Sequence, residues 1–170
     1  MKYLVRCGFT KETINELKYF EGKNLKQFRF LKSKQSFFIP IISLNSDSYN
    51  KIKNNIIQSF NKLYTFRVNI SNINYDENKN IYLIIEPKGF LLTIQRIFEE
   101  ELIFNDVKIY EKLNKYENFY MNYLFSNKLN INLDNISFPN FLKINSIEIL
   151  KFNNNYKKSI LIESIKLKNI

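Results

Sequence analysis

FFIPIISL (residues 37–44) and FYMNYLFSN (119–127) are the two stretches whose reading decides the fold. Both are short apolar runs rich in β-branched and aromatic residues, and at that length such runs form strands. They stand about 80 residues apart, and neither carries a side chain that exchanges protons near neutral pH. Residues two apart share one face of a strand, so Tyr120, Asn122, Leu124 and Ser126 are expected together. Phe119, Met121, Tyr123 and Phe125 form the more apolar face, the expected core side.

The remaining elements fall around these two. YLVRC (3–7) reads as a strand, and Thr10 or Thr13 opens a polar helix, Thr13 and Glu16 having capping-box spacing. FRFL (28–31) and 36–44 read as strands joined by KSK (32–34). Tyr49, Ile52, Ile56, Phe60 and Leu63 recur at helical steps behind the cap candidates Ser46, Asp47 and Ser48. Phe66, Val68 and Ile70 alternate as a half-buried strand, NYDENKN (74–80) turns, and IYLIIE (81–86) returns antiparallel. Leu91, Ile94, Phe98 and Leu102 mark a third helix ending near Phe104. Residues 107–117 have no clear period. ISFPNFL (136–142) reads as a short helix around Pro139, and 144–152 with 158–168 as a closing hairpin.

The order is therefore β-α-β-β-α-β-β-α-β-α-β-β. Strands outnumber helices and many links are hairpins, which predicts an α+β fold with mostly antiparallel sheets and helices on their outer faces. A chain of 170 residues suits one domain, or two small lobes sharing a core. Neither a Rossmann fingerprint, a P-loop, a calcium loop nor a solenoid repeat is present.

Composition narrows the chemistry. Twenty-six Lys and Arg against 16 Asp and Glu give a net charge of +10, which favours polyanionic partners such as RNA. Abundant Asn, Ile, Lys, Phe and Tyr without any Ala is also what an AT-rich genome imposes. The charge is nevertheless lateral: residues 1–70 hold 13 basic and 4 acidic side chains, residues 71–170 hold 13 and 12. In the first half Lys18, Lys23, Lys26, Arg29, Lys32 and Lys34 interleave with Tyr19, Phe20, Phe28 and Phe30, a pattern suited to phosphate contacts and base stacking on single-stranded RNA. The competing reading makes the rings core and the lysines a solvated face.

One cysteine and no histidine exclude an internal disulfide, the usual zinc sites, and Ser-His or Cys-His nucleophilic schemes. Cys7, on an apolar strand, reads as a small buried hydrophobe. Glu99, Glu100 and Glu101 spread around a helix, and Asp76 with Glu77 sits in a turn, so neither set forms a paired acid and base. No cofactor and no metal are expected. No run approaches a membrane span, and MKYLVRCGFTKE breaks into charge too early for a signal peptide, so a cytoplasmic or organelle-matrix protein is expected.

In order and length these elements resemble the 2H phosphoesterases, the RNA 2′,3′-cyclic phosphodiesterases also known as 2′-5′ RNA ligases, over nearly the whole chain. LVRCGFTKETINEL, FRFLKSKQS and FFIPIISLN stand where that family has its opening strand and helix, an aromatic strand with a polar link, and the first His-x-Thr strand. FYMNYLFSN stands where the second His-x-Thr strand follows the third helix. The resemblance implies a two-lobed fold with a cleft between these strands. It places Asn122 and Leu124 in the second pair of slots, and either Phe37 and Ile39 or Phe38 and Pro40 in the first.

In that family one imidazole takes a proton and the other gives one, while the hydroxyls hold phosphate. Asn122 can exchange hydrogen bonds but no proton, and the other slots are apolar. The expectation is a catalytically inactive 2H-like protein that binds RNA or a nucleotide through its basic half, with Tyr120, Asn122 and Ser126 lining the cleft. The alternative is a structural subunit of a ribonucleoprotein or other assembly with its ancestral cleft filled. An active phosphodiesterase with replaced groups ranks third.

Overall fold

The computed structural model describes residues 2–28, 30–32, 36–107, 109–113, 118–126, 132–152 and 159–169, with backbone alone for 32, 46, 48 and 109–112. Nine strands and three helices occur among them: β1 Lys2–Phe9, α1 Lys11–Phe28, β2 Leu31–Lys32, β3 Ile39–Asn45, α2 Ser46–Phe60, β4 Phe66–Tyr75, β5 Asn80–Ile85, α3 Phe90–Phe104, β6 Ile109–Lys112, β7 Phe119–Phe125, β8 Phe141–Phe152 and β9 Ser159–Lys166. The fold is α+β, and every strand pairing is antiparallel.

The strand order is β2-β7-β5-β4-β8-β1-β3-β6, with β9 also on β8. β4 makes this a two-lobed sheet. Its first residues, Phe66 to Asn69, pair with β8, whereas Ile70 to Tyr75 pair with β5. A register shift between Ile70 and Asn72 lies where the strand changes partner, and such a bulge bends a strand locally.

Local signals explain most elements. The Thr10 hydroxyl accepts the Thr13 N–H at 3.3 Å and caps α1. Thr13 is therefore not the cap; its own hydroxyl accepts the Lys143 N–H at 3.1 Å and ties the helix to β8. On α2, Tyr49, Ile52, Ile56 and Phe60 are buried as the spacing predicts, and on α3 so are Leu91, Ile94, Phe98 and Leu102. Phe60 and Phe98 join the two helices, ring centroids 5.1 Å apart. Between β4 and β5 the Asp76 carboxylate accepts the Asn80 N–H at 2.9 Å, closing a turn in which Lys79 takes φ 65°.

Two expected elements differ. α1 runs on through Phe28, so FRFL is not a strand. The alternation of Phe28 and Phe30 instead stacks two rings, 5.3 Å apart, across the helix end, and only Leu31 and Lys32 pair with β7. ISFPNFL is not a helix: 136–140 is irregular and Phe141 opens β8. The Ser137 N–H and C=O are both bonded to side chains elsewhere, so they are not engaged in an intrahelical ladder. The segment without a clear period contributes β6, paired with β3.

Candidate functional site

Strands β3 and β7 lie in different lobes and pack against each other. Just before β3, the Phe37 ring is 6.2 Å from the ring of Tyr123 on β7. Tyr123 is fully buried. Its hydroxyl accepts from Asn24 Nδ2 on α1 at 3.1 Å and donates to the Ser137 carbonyl at 3.0 Å, while the Ser137 N–H donates to Asn24 Oδ1 at 2.9 Å. Burial pushes the Tyr123 phenol well above its ordinary pKa, against the lowering hydrogen bond from Asn24. It is a structural hydroxyl and not a proton carrier.

The two faces of each lobe carry different residues. In the first lobe Tyr3, on the β1 face shared with Val5 and Cys7, meets Tyr49 of α2 at 4.5 Å. Burial above all, then the Glu148 charge, drives the Cys7 thiol far up, so it stays protonated and inert. Arg6 points the other way. Its Nε and Nη2 both contact Glu148 Oε2 at 2.7 Å, its Nη1 donates to Ser36 Oγ at 3.3 Å, and its guanidinium lies 4.6 Å over the Phe38 ring.

In the second lobe Phe119, Met121 and Tyr123 fill the core beside Ile81, Leu83 and Ile85 of β5. Tyr120 and Asn122 are half-buried on the opposite face. There the Tyr82 and Tyr120 rings meet edge to face at 6.1 Å and, with Asn74, Asp76, Ile84, Asn118, Phe119 and Asn122, line a recess of about 130 Å³.

The expected cleft face is split. Tyr82 pairs with Asn122 but Ile81 pairs with Leu124, so β7 carries one extra residue, Tyr123. Such a bulge resets the alternation. Leu124 and Ser126 turn inward and are buried, leaving Tyr120 and Asn122 on the open face.

No protein-family model matches the sequence, and no curated protein matches it. Solved structures do. A Thermus thermophilus protein superposes with a TM-score of 0.71 at 9% identity, each chain covered to 99%. A phosphoesterase gives 0.70 at 6%, each chain covered to 98%. Escherichia coli LigT gives 0.63 at 6%, covering 98% of this chain and 97% of its own, and its structure has also been determined with 3′-AMP and with ATP. The chain has the 2H phosphoesterase fold.

The residues that the resemblance puts in the first pair of slots lie just before and at the start of β3. Phe37 and Phe38 are half-buried, one turned to Tyr123 and the other to Arg6, while Ile39 and Pro40 are buried. The basic residues are placed elsewhere. Lys18, Lys23 and Lys26 are exposed on α1 beside Tyr19, on the side away from buried Leu17 and Asn24. Since Asn24 meets Tyr123 on the inner face of β7, the three lysines do not adjoin the recess. Phe30 is buried and Phe20 and Phe28 half-buried, as the core reading of those rings has it. Arg29, Lys34 and the Lys32 side chain lie outside the described residues.

Among the described residues, no three His, Cys, Asp or Glu side chains converge on a metal position, and no helix is long and apolar enough to cross a membrane. Sequence reasoning missed Arg6, Glu148, Tyr82 and Asn74. IYLIIE read only as a returning strand and nothing local linked Tyr82 to Tyr120, while Arg6 finds Glu148 across 142 positions.

Proposed function

We propose that this protein binds a nucleotide or a nucleotide unit of RNA in the Tyr82, Tyr120 and Asn122 recess without performing the two-histidine reaction. The observation that carries this reading is the composition of the recess: two tyrosine rings and three asparagine amides, contributed from β4, β5 and the β7 segment, with the Asp76 carboxylate beside them. Rings offer stacking surfaces to a base, and amides match the donor and acceptor edges that bases present. Structures of LigT with 3′-AMP and ATP support the ligand class at low identity.

The chain has no histidine, and the slots place Asn122 opposite Phe38 or Phe37. Phe38 is the better assignment, because it shares the open face with Arg6 whereas Phe37 turns inward to Tyr123. Neither Cys7 nor Tyr123 ionises readily enough to replace an imidazole. The test is calorimetric titration with adenosine and 3′-AMP, alongside an assay for 2′,3′-cyclic AMP turnover. Binding that Tyr120→Ala weakens at least tenfold, with no turnover, is expected; absence of binding or genuine turnover overturns the reading.

A second reading, RNA contact through the solvent face of α1, is favoured by Lys18, Lys23 and Lys26 standing exposed with Tyr19, which is 69% accessible. It concerns a different surface, and the two readings are tested separately.

A further inference from the structure

We propose that Arg6 is the phosphate-binding group of the cleft, taking a phosphate ester of the nucleotide whose base occupies the recess; this rests on the reading given above. Arg6 stands on the face of β1 opposite the Val5 and Cys7 side, its side chain 17% exposed. β3 lies next to β1 and packs on β7, and the two residues that lead into it reach both sides, Phe38 under the Arg6 guanidinium and Phe37 against the Tyr123 ring.

The guanidinium is held in one plane by three different contacts. Nε and Nη2 grip a single oxygen of Glu148, Nη1 reaches Ser36, and the Phe38 ring lies beneath. These use three of a guanidinium's five N–H donors, and leave one on each terminal nitrogen. Parallel donors on the terminal nitrogens are the edge that takes a phosphate bidentately. The carboxylate thus grips the side edge and fixes the plane of the guanidinium.

Glu148 is itself placed by an absence. A Cβ on Gly8 would lie 2.8 Å from Glu148 Oε1 and would collide with Ser146 Oγ. A bare strand position therefore gives the carboxylate room to lie across β1 to Arg6. A bridge serving stability alone needs none of this: partly exposed ion pairs contribute little, and a buried one is replaceable by apolar packing. The aromatic base under the cation, the glycine under the anion, and the hydroxyls of Ser36 and Ser146 beside them make a preorganised cation on the cleft side. Glu148 is a positioning residue, acting through Arg6.

The experiment compares adenosine with 3′-AMP by calorimetry in the wild type and in Arg6→Gln, Arg6→Lys and Glu148→Gln, each checked for folding by thermal unfolding. In the wild type the phosphate should tighten binding about tenfold to a hundredfold, the usual range for charge-assisted hydrogen bonds. Arg6→Gln should abolish that advantage while leaving adenosine affinity unchanged. Arg6→Lys keeps the charge and stem but loses the fork, so it should retain only part of the advantage and serves if the glutamine variant unfolds. Glu148→Gln should reduce the preference for 3′-AMP without altering adenosine. If adenosine binds but phosphate adds nothing, or the preference survives both Arg6 substitutions, the assignment of Arg6 is wrong while the recess stands. If neither compound binds, the reading of the recess fails and the assignment of Arg6 falls with it.

Discussion

Asn24 on α1 donates to the hydroxyl of Tyr123 on β7 at 3.1 Å, and both residues are fully buried. Because Asn24 also exchanges hydrogen bonds with the Ser137 backbone, one amide fixes three segments that are far apart in sequence. Asn24→Ala would leave a buried phenol and a part-buried backbone N–H short of partners, and should cost about 1–3 kcal/mol. Tyr123→Phe leaves the Asn24 to Ser137 bonds in place and should cost less. Urea denaturation with an unchanged slope would measure both; equal losses would contradict the shared knot.

Gly8 makes a separate prediction for β1. Gly8→Ala forces Glu148 and the buried Ser146 aside, so it should destabilise by about 1–3 kcal/mol, the range for overpacking. Ser146→Ala in the same background should recover part of that loss. No loss in Gly8→Ala would mean that the Glu148 carboxylate is not confined.

Tyr49 should show itself at alkaline pH. Its buried hydroxyl has no hydrogen-bond partner among the described residues, and burial first, then Glu163 and Tyr3, push its pKa from 10.0 up to about 12. Below pH 10 the folded and unfolded chains both keep this proton, and the group contributes no pH dependence. Between about pH 10 and 12 the unfolded chain releases it while the folded chain does not, so stability falls as pH rises. Tyr49→Phe should be neutral to about 1 kcal/mol stabilising at pH 7 and should flatten the alkaline decline. A variant as steep as the wild type would contradict this.

The solvent face of α1 is tested by Lys18→Glu, Lys23→Glu and Lys26→Glu together. Should single-stranded RNA lie along it, losing three phosphate contacts would lower the slope of log K against log salt by about 2. Adenosine affinity should stay unchanged, because these lysines stand away from the recess. Equal RNA affinity and slope in the variant would rule this surface out as an RNA contact.

What the sequence disclosed depended on how far each signal reaches. The α2 stripe from Tyr49 to Phe60 and the α3 stripe from Leu91 to Leu102 are local periodicities, and both helices stand where they predict. Phe28 and Phe30 mimicked a strand because two rings in alternation are equally served by a helix end folding back. Leu124 and Ser126 were misplaced because the extra residue at Tyr123 is a property of pairing with β5, written in neither strand alone. Arg6 carried no local mark at all: its meaning comes from Glu148, Phe38 and the space above Gly8, and only the assembled sheet brings those together.

Introducing two imidazoles, through Phe38→His with Asn122→His, should not produce the two-histidine reaction. The family's chemistry places a hydroxyl two residues after each histidine, on the same strand face, to hold the phosphate. Here Pro40 is buried, and the bulge at Tyr123 turns Leu124 into the core with only 1% of its surface accessible. A threonine at 124 would therefore bury its hydroxyl away from the face that carries residue 122, and would lose apolar packing besides. The assay is hydrolysis of 2′,3′-cyclic AMP by the double variant and by the same variant carrying Leu124→Thr. Neither should turn over substrate, and the threonine should lower stability by about 1–3 kcal/mol. Turnover in the double variant would mean that the two introduced imidazoles suffice in this scaffold, and that the bulge does not disable it.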